Sequence, residues 1–176
     1  MGLVSHKLLG RLAVAMTKLV PILRADGDGE KLWFFGGGVH TWLATNAETG
    51  GAFLLFDDVM TIGKTTPLHS HPEVDETLYV LEGEILVHVD GREQKLGRGS
   101  MAMVPRGIPH AFVVTSESAR LLTLETPGSS EAFYRGASEP LTPSLEATAP
   151  VDFDRVRASA ARNGGIEILG PPPFGR

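Results

Sequence analysis

No cysteine occurs among the 176 residues, so disulfides and thiolate-bound metals are both excluded. That absence fits a reducing interior, and a cytoplasmic location is the expectation. Positive charge is also in short supply. Sixteen Lys and Arg stand against 21 Asp and Glu, a formal net charge of -5, and a chain without a basic excess is not expected to bind nucleic acid. Aromatic residues make up only 7% of the sequence. No apolar stretch approaches the length needed to cross a bilayer, so no transmembrane segment is expected. Internal repeats and low-complexity tracts are absent as well. What remains is a chain of mean hydropathy +0.03, long enough for one globular unit with a proper core and too short for two full domains.

Acidic residues are missing from the first twenty-four positions. There Leu8, Leu12, Ala15 and Leu19 fall in one helical row and Leu9, Ala13, Met16 and Val20 in the next, with Lys7, Arg11 and Lys18 opposite. This is the pattern of an amphipathic helix, expected within 1–25, stopped by Pro21 and packed on the domain or on a partner subunit. Met16 is a second candidate start.

From residue 26 the sequence changes character. Short segments of strand-forming residues (KLWFF, VHTWLAT, AFLLFDDVM, EILVHVD, REQKL, SMAMVP, HAFVVT, ARLLTLET) are separated by Gly, Pro, Asn and Asp turn signals. Nine or ten short strands at this spacing predict an all-β sandwich or barrel over 26–138. After Pro127 the periodicity shifts. SSEAFYRG predicts one or two helical turns ended by Gly136, SEPLTPSLEATAP a proline-punctuated linker, and DFDRVRASAARNG a helix begun by Asp152 and stopped at Asn163-Gly164. Residues 139–176 are thus expected as linker, helix and tail packed on the barrel.

The chemistry-bearing residues sit in GKTTPLHSHPEVDETLYVLEG, residues 63–83. His69 and His71, two apart in a strand, point to the same face. Glu73, Asp75 and Glu76 follow, and alternation does not choose among them because both phases of that strand are largely apolar. Two imidazoles and a carboxylate are donors for a borderline divalent ion. A second segment, GSMAMVPRGIPHAF, ends its Pro105-Arg106-Gly107 turn at Pro109-His110. His40 and His88 lie outside both segments and read as structural histidines. Phe53, Phe56, Met101, Met103, Phe112 and Phe133 are core residues by default and pocket-wall candidates.

Together the two segments resemble the paired signatures of the cupin family. Gly63 is followed after five residues by His69-x-His71, after four more by Glu76 and after six more by Gly83; Gly99 is followed after five by Pro105-x-Gly107 and after two more by His110. Val114 departs from an optional position often filled by Asn. The resemblance implies a jelly-roll barrel, or double-stranded β-helix, with His69, His71, Glu76 and His110 binding one divalent transition metal: Fe, Ni, Mn, Co, Cu or Zn. It further implies a small-molecule substrate and a homodimer. Cupins with this ligand set and a helical C-terminal extension look like quercetin dioxygenases. In that reaction Glu76 would be ligand and general base, taking the proton of an enol or phenol before dioxygen opens the ring. Alternatives are an isomerase or cyclase of a small hydroxy-carbonyl compound, and a binding module without catalysis. Lys64 and Arg106 are the few basic residues near the signatures.

Overall fold

The computed structural model describes residues 19–142 and 151–175. Twelve strands and two helices follow one another in the described chain. The first ten strands are β1 (Lys31–Phe34), β2 (Gly38–Ala44), β3 (Leu54–Thr61), β4 (Leu68–Ser70), β5 (Asp75–Glu82), β6 (Glu84–Val89), β7 (Arg92–Gly97), β8 (Met101–Val104), β9 (His110–Val114) and β10 (Ser118–Thr126). Then come α1 (Glu131–Gly136), β11 (Ser138–Pro140), α2 (Phe153–Asn163) and β12 (Glu167–Gly170). They form a seven-stranded sheet ordered β11-β1-β2-β3-β10-β5-β8 and a five-stranded sheet ordered β12-β4-β9-β6-β7.

Burial alternates along the long strands, as it does when one face meets the core and the other meets solvent. In β10, Ala119, Leu121, Thr123 and Glu125 point inward. Met60, Leu78, Val80 and Leu121 of the larger sheet meet Ile85, Val87, Phe112 and Val114 of the smaller one in a shared cluster, so the two sheets pack face to face as a jelly-roll sandwich. Each such aliphatic side chain contributes about 1.5–3 kcal/mol on burial. A second cluster fills the other end, where Trp33, Phe34, Trp42 and Phe56 pack against Phe133 and Tyr134 of α1, Val156 of α2 and Ile166.

The signature glycines have a conformational reason. Gly63, Gly83, Gly99 and Gly107 all have positive φ, and at Gly83 a Cβ would also collide with the Ser118 carbonyl. α2 begins where its sequence predicts, the Asp152 carboxylate accepting hydrogen bonds from the backbone N–H of Asp154 and Arg155, and Gly164 ends it at φ 66°.

The expected N-terminal helix lies outside the described residues up to position 18, and the chain is not helical from residue 19 on to Pro21, the expected stop, or beyond to 25. Two features of the C-terminal segment were not expected. The proline-punctuated linker begins with a strand, because β11 completes the free edge of β1. The final apolar piece is also a strand: β12 pairs with β4, placing Ile168 opposite His69. Edge pairing with a distant partner leaves no local pattern in the sequence.

Candidate metal centre

Each of the four signature donors is brought in by a different local device. His69 lies in β4 and pairs across the strands with His110, the first residue of β9. His71 follows β4, and its carbonyl accepts the Gly107 N–H at 2.7 Å. The turn of the second segment is thereby tied to the first. Glu76 lies in β5, between Val104 of β8 and Glu125 of β10. One donor atom from each of His69, His71, Glu76 and His110 falls within 4.8 Å of all the others, and the four residues are 1–7% exposed.

The ambiguity among the three acids is resolved by packing. Glu73 is exposed. Asp75 is engaged outside the barrel, accepting the Arg106 backbone N–H at 2.9 Å and its guanidinium at 2.8 and 3.1 Å; these hydrogen bonds hold its carboxyl at about 2. Only Glu76 points inward.

Hydrogen bonds at the rear of the rings orient two imidazoles. His69 Nδ1 lies 2.8 Å from the Pro67 carbonyl and His110 Nδ1 2.9 Å from the Ile108 carbonyl. Nδ1–H therefore donates in both, and Nε2 is left for the cluster. Burial, with repulsion from His110 and His71, lowers His69 to about 3, so it is neutral at pH 7. Burial also lowers His71. At His110 burial acts downward most strongly, but the 3.0 Å hydrogen bond with Glu76, the charge on Glu76 and the Ile108 carbonyl together outweigh it, and its pKa is raised. For Glu76 burial acts upward, yet the His110 hydrogen bond and the neighbouring imidazoles prevail and hold it at about 2.

A cation fits this donor set. Both ring nitrogens of His71 are buried without a hydrogen-bond partner, and the proton between His110 and Glu76 lies where a positive ion would satisfy both. Donors bonded at about 2.1 Å to one ion lie about 3–4 Å apart, so separations of up to 4.8 Å need to close by about 1–2 Å.

Residues 58–125 match the family model of the cupin domain. That stretch is a cupin domain. A quercetin 2,3-dioxygenase of Bacillus subtilis is 28% identical to it over 139 residues, covering 78% of this chain and 41% of that protein. An uncharacterized protein of Aquifex aeolicus is 37% identical over 59 residues, covering 34% of this chain and 49% of that protein. This cupin therefore spans less than half the length of either curated relative. Among solved structures, an RmlC-like cupin from Shewanella frigidimarina aligns with TM-score 0.55 and 22% identity, over 63% of this chain and 95% of that one. A predicted oxalate decarboxylase from Thermotoga maritima aligns with TM-score 0.53 and 20% identity, over 61% and 99%. At these identities the structural likeness speaks to the fold.

The cupin site extends past its four signature residues. Glu125, fully buried opposite Glu76, accepts a 2.6 Å hydrogen bond from the Tyr134 hydroxyl and lies 3.7 Å from His71 Nδ1. Burial and the charge on Glu76 push Glu125 well above the ordinary carboxylate range. Sequence reasoning missed it, although an acid in the inward phase of LTLET was a usable signal. Beside the cluster is a cavity of about 50 Å³ whose wall includes His40, Asp58, Lys64, Phe112, Phe133 and Tyr134. His40 is outside the donor cluster and buried, 1% exposed on the cavity wall, with Nε2 3.4 Å from Asp58 and Nδ1 unpartnered. Of the six pocket-wall candidates, Phe56, Phe112 and Phe133 line the cavity. Phe53 does not, and Met101 and Met103 point outward from the edge strand β8, 53% and 52% exposed. His88 is half-buried on the smaller sheet, 3.6 Å from Glu93.

Proposed function

We propose that this cupin is a metal-dependent dioxygenase acting on a small enol or phenol, with His69, His71, Glu76 and His110 as the ligands of one divalent transition metal. The observation that carries this reading is the convergence of three imidazoles and one carboxylate beside a cavity whose wall includes six phenylalanine and tyrosine rings. The likeness to a quercetin dioxygenase supports the choice of reaction. The ion would supply an open coordination position and Lewis acidity. The protein supplies the rest: His69 and His110 are held in orientation by the Pro67 and Ile108 carbonyls, Glu76 is kept ionised to take a substrate proton, and Phe56, Phe112 and Phe133 help exclude bulk water.

In this reading the barrel over 26–138 is the catalytic unit, 139–176 is its cover, and the location is cytoplasmic. Homodimer formation belongs to it too, through the edge strand β8, where Met101 and Met103 are exposed beside Tyr79 of the neighbouring β5. Isomerisation or cyclisation of a hydroxy-carbonyl compound is the second reading, favoured by the additional ionisable groups of the cavity, Lys64, Asp58 and His40.

Dioxygen uptake by protein reconstituted separately with each metal, tested against flavonols and smaller enols, decides between them. Uptake with at least one enol, abolished by Glu76→Gln, is expected. Metal-loaded protein that isomerises a hydroxy-carbonyl compound without consuming dioxygen supports the second reading. Binding without turnover of any compound marks a non-catalytic module.

A further inference from the structure

Three ionisable side chains on the cavity wall lack the partners that buried polar groups require. Lys64 is 7% exposed, Asp58 4% and His40 1%. The Lys64 ammonium rests over the Phe112 ring, 4.3 Å from its centroid. Among the described residues no hydrogen bond or ion pair joins it to an acceptor. Asp58 Oδ2 lies 3.4 Å from His40 Nε2, while Asp58 Oδ1 and His40 Nδ1 have no hydrogen-bond partner. Leaving a buried polar group unpaired costs about 1–3 kcal/mol, more when it is charged, so the two unpartnered atoms of Asp58 and His40, beside a lysine with no acceptor, call for a ligand. All three share that wall with His69 and Glu76.

We propose that Lys64, Asp58 and His40 form a substrate-recognition subsite for a compact oxygenated anion, a hydroxycarboxylate or an enediolate. The proposal rests on the reading of the neighbouring donors as a metal centre, since the ligand would lie between the two. Each group selects one feature. Lys64 has only donors to offer and takes an anionic oxygen. Asp58 Oδ1 accepts, and so selects a hydroxyl. With Nε2–H directed at Asp58, His40 Nδ1 is a second acceptor. Size follows from the cavity, whose 50 Å³ holds only a few water molecules and falls well below the roughly 300 Å³ at which pockets for larger ligands begin. A three-ring flavonol is therefore outside the class that this subsite takes.

The test is calorimetric titration of protein loaded with zinc, which binds without redox turnover, against four probes: glycerate, glycerol, propionate and quercetin. Glycerol keeps hydroxyls and lacks the charge; propionate keeps the charge and lacks hydroxyls. Glycerate is expected to bind about tenfold or more tightly than either. Lys64→Met should reduce glycerate to the level of glycerol, and Asp58→Ala to the level of propionate, with zinc content unchanged. Equal affinities, no glycerate binding, or a preference for quercetin that survives Lys64→Met overturns the subsite. The comparison of probes on the unaltered protein stands even if a variant fails to fold, and Lys64→Gln is the second choice at that position. Zinc content, measured separately by atomic emission, keeps the two ideas apart. Protein that takes up no zinc yet still prefers glycerate overturns the metal centre alone, whereas zinc-loaded protein without that preference overturns the subsite alone.

Discussion

His71 differs from the other two clustered imidazoles in that neither of its ring nitrogens makes a well-formed hydrogen bond, the Gly165 backbone being near enough only to act upward on its pKa. Its Nδ1 faces Glu125 at 3.7 Å, and Glu125 is held in turn by Tyr134. Partners behind a ligating histidine commonly change metal affinity by about 10–100-fold. Glu125→Ala should weaken metal binding within that range, as read by chelator competition, and an unchanged affinity would leave Glu125 with a packing role only. Acid should destabilise the metal-free protein. His69 is lowered from 6.5 to about 3, so its contribution is complete above pH 6.5 and is lost as pH falls from there toward 3. Glu76, lowered from 4.5 to about 2, contributes fully above pH 4.5 and loses that contribution below it. The raised pKa of His110 acts oppositely, stabilising below pH 6.5 and fading as pH rises through its folded value. Glu125, raised well above 4.5, also gains stability as pH falls toward 4.5, so urea midpoints across pH 3–7 are expected to fall with acid, gently above 4.5 and more steeply below it; a flat profile below 4.5 would contradict these assignments.

At the scale of elements, the cavity depends on the C-terminal segment. Phe153 and Val156 of α2 and Ile166 complete its wall, the Ser159 hydroxyl donates to the Phe133 carbonyl at 2.7 Å, and β12 closes onto β4 beside His69. Asp152→Ala removes the N-cap of α2 and should cost about 1 kcal/mol. Ile166→Ala, in the buried cluster between α2 and the barrel, should cost about 2–5 kcal/mol. Both are measured by denaturant unfolding, and a loss below about 0.5 kcal/mol for Ile166 would mean that this segment is not part of the cooperative unit. α2 was readable from Asp152 and Asn163-Gly164 because caps are local chemistry. β11 and β12 were not, because their partners β1 and β4 lie far away in the chain.

For the molecule as a whole, metal and assembly are the two measurable consequences. An ion bound to the folded state alone stabilises it by RT ln(1 + [L]/Kd), about 2.7 kcal/mol at a hundredfold excess over Kd. Thermal melts with and without chelator should therefore separate by several degrees, and coincident melts would argue against a bound ion. The exposed methionines of β8 make the edge of the larger sheet an apolar strip. Replacing Met101 and Met103 by Lys should shift a dimer toward monomer in light scattering, while a protein already monomeric would remove the need for that interface.

Sequence by itself determined the strand-rich class, the caps of α2 and the two segments that carry the histidines, because turn chemistry, alternation and glycines at positive φ act over a few neighbouring residues, whereas α1 runs through Gly136 to a cap at Ala137. Tertiary structure alone decided which of three acids faces inward, that Glu125 stands behind His71, and that His40, Asp58 and Lys64 share one cavity wall. Those outcomes depend on which strands lie side by side and which charges find partners, and neither is encoded within any single stretch of chain.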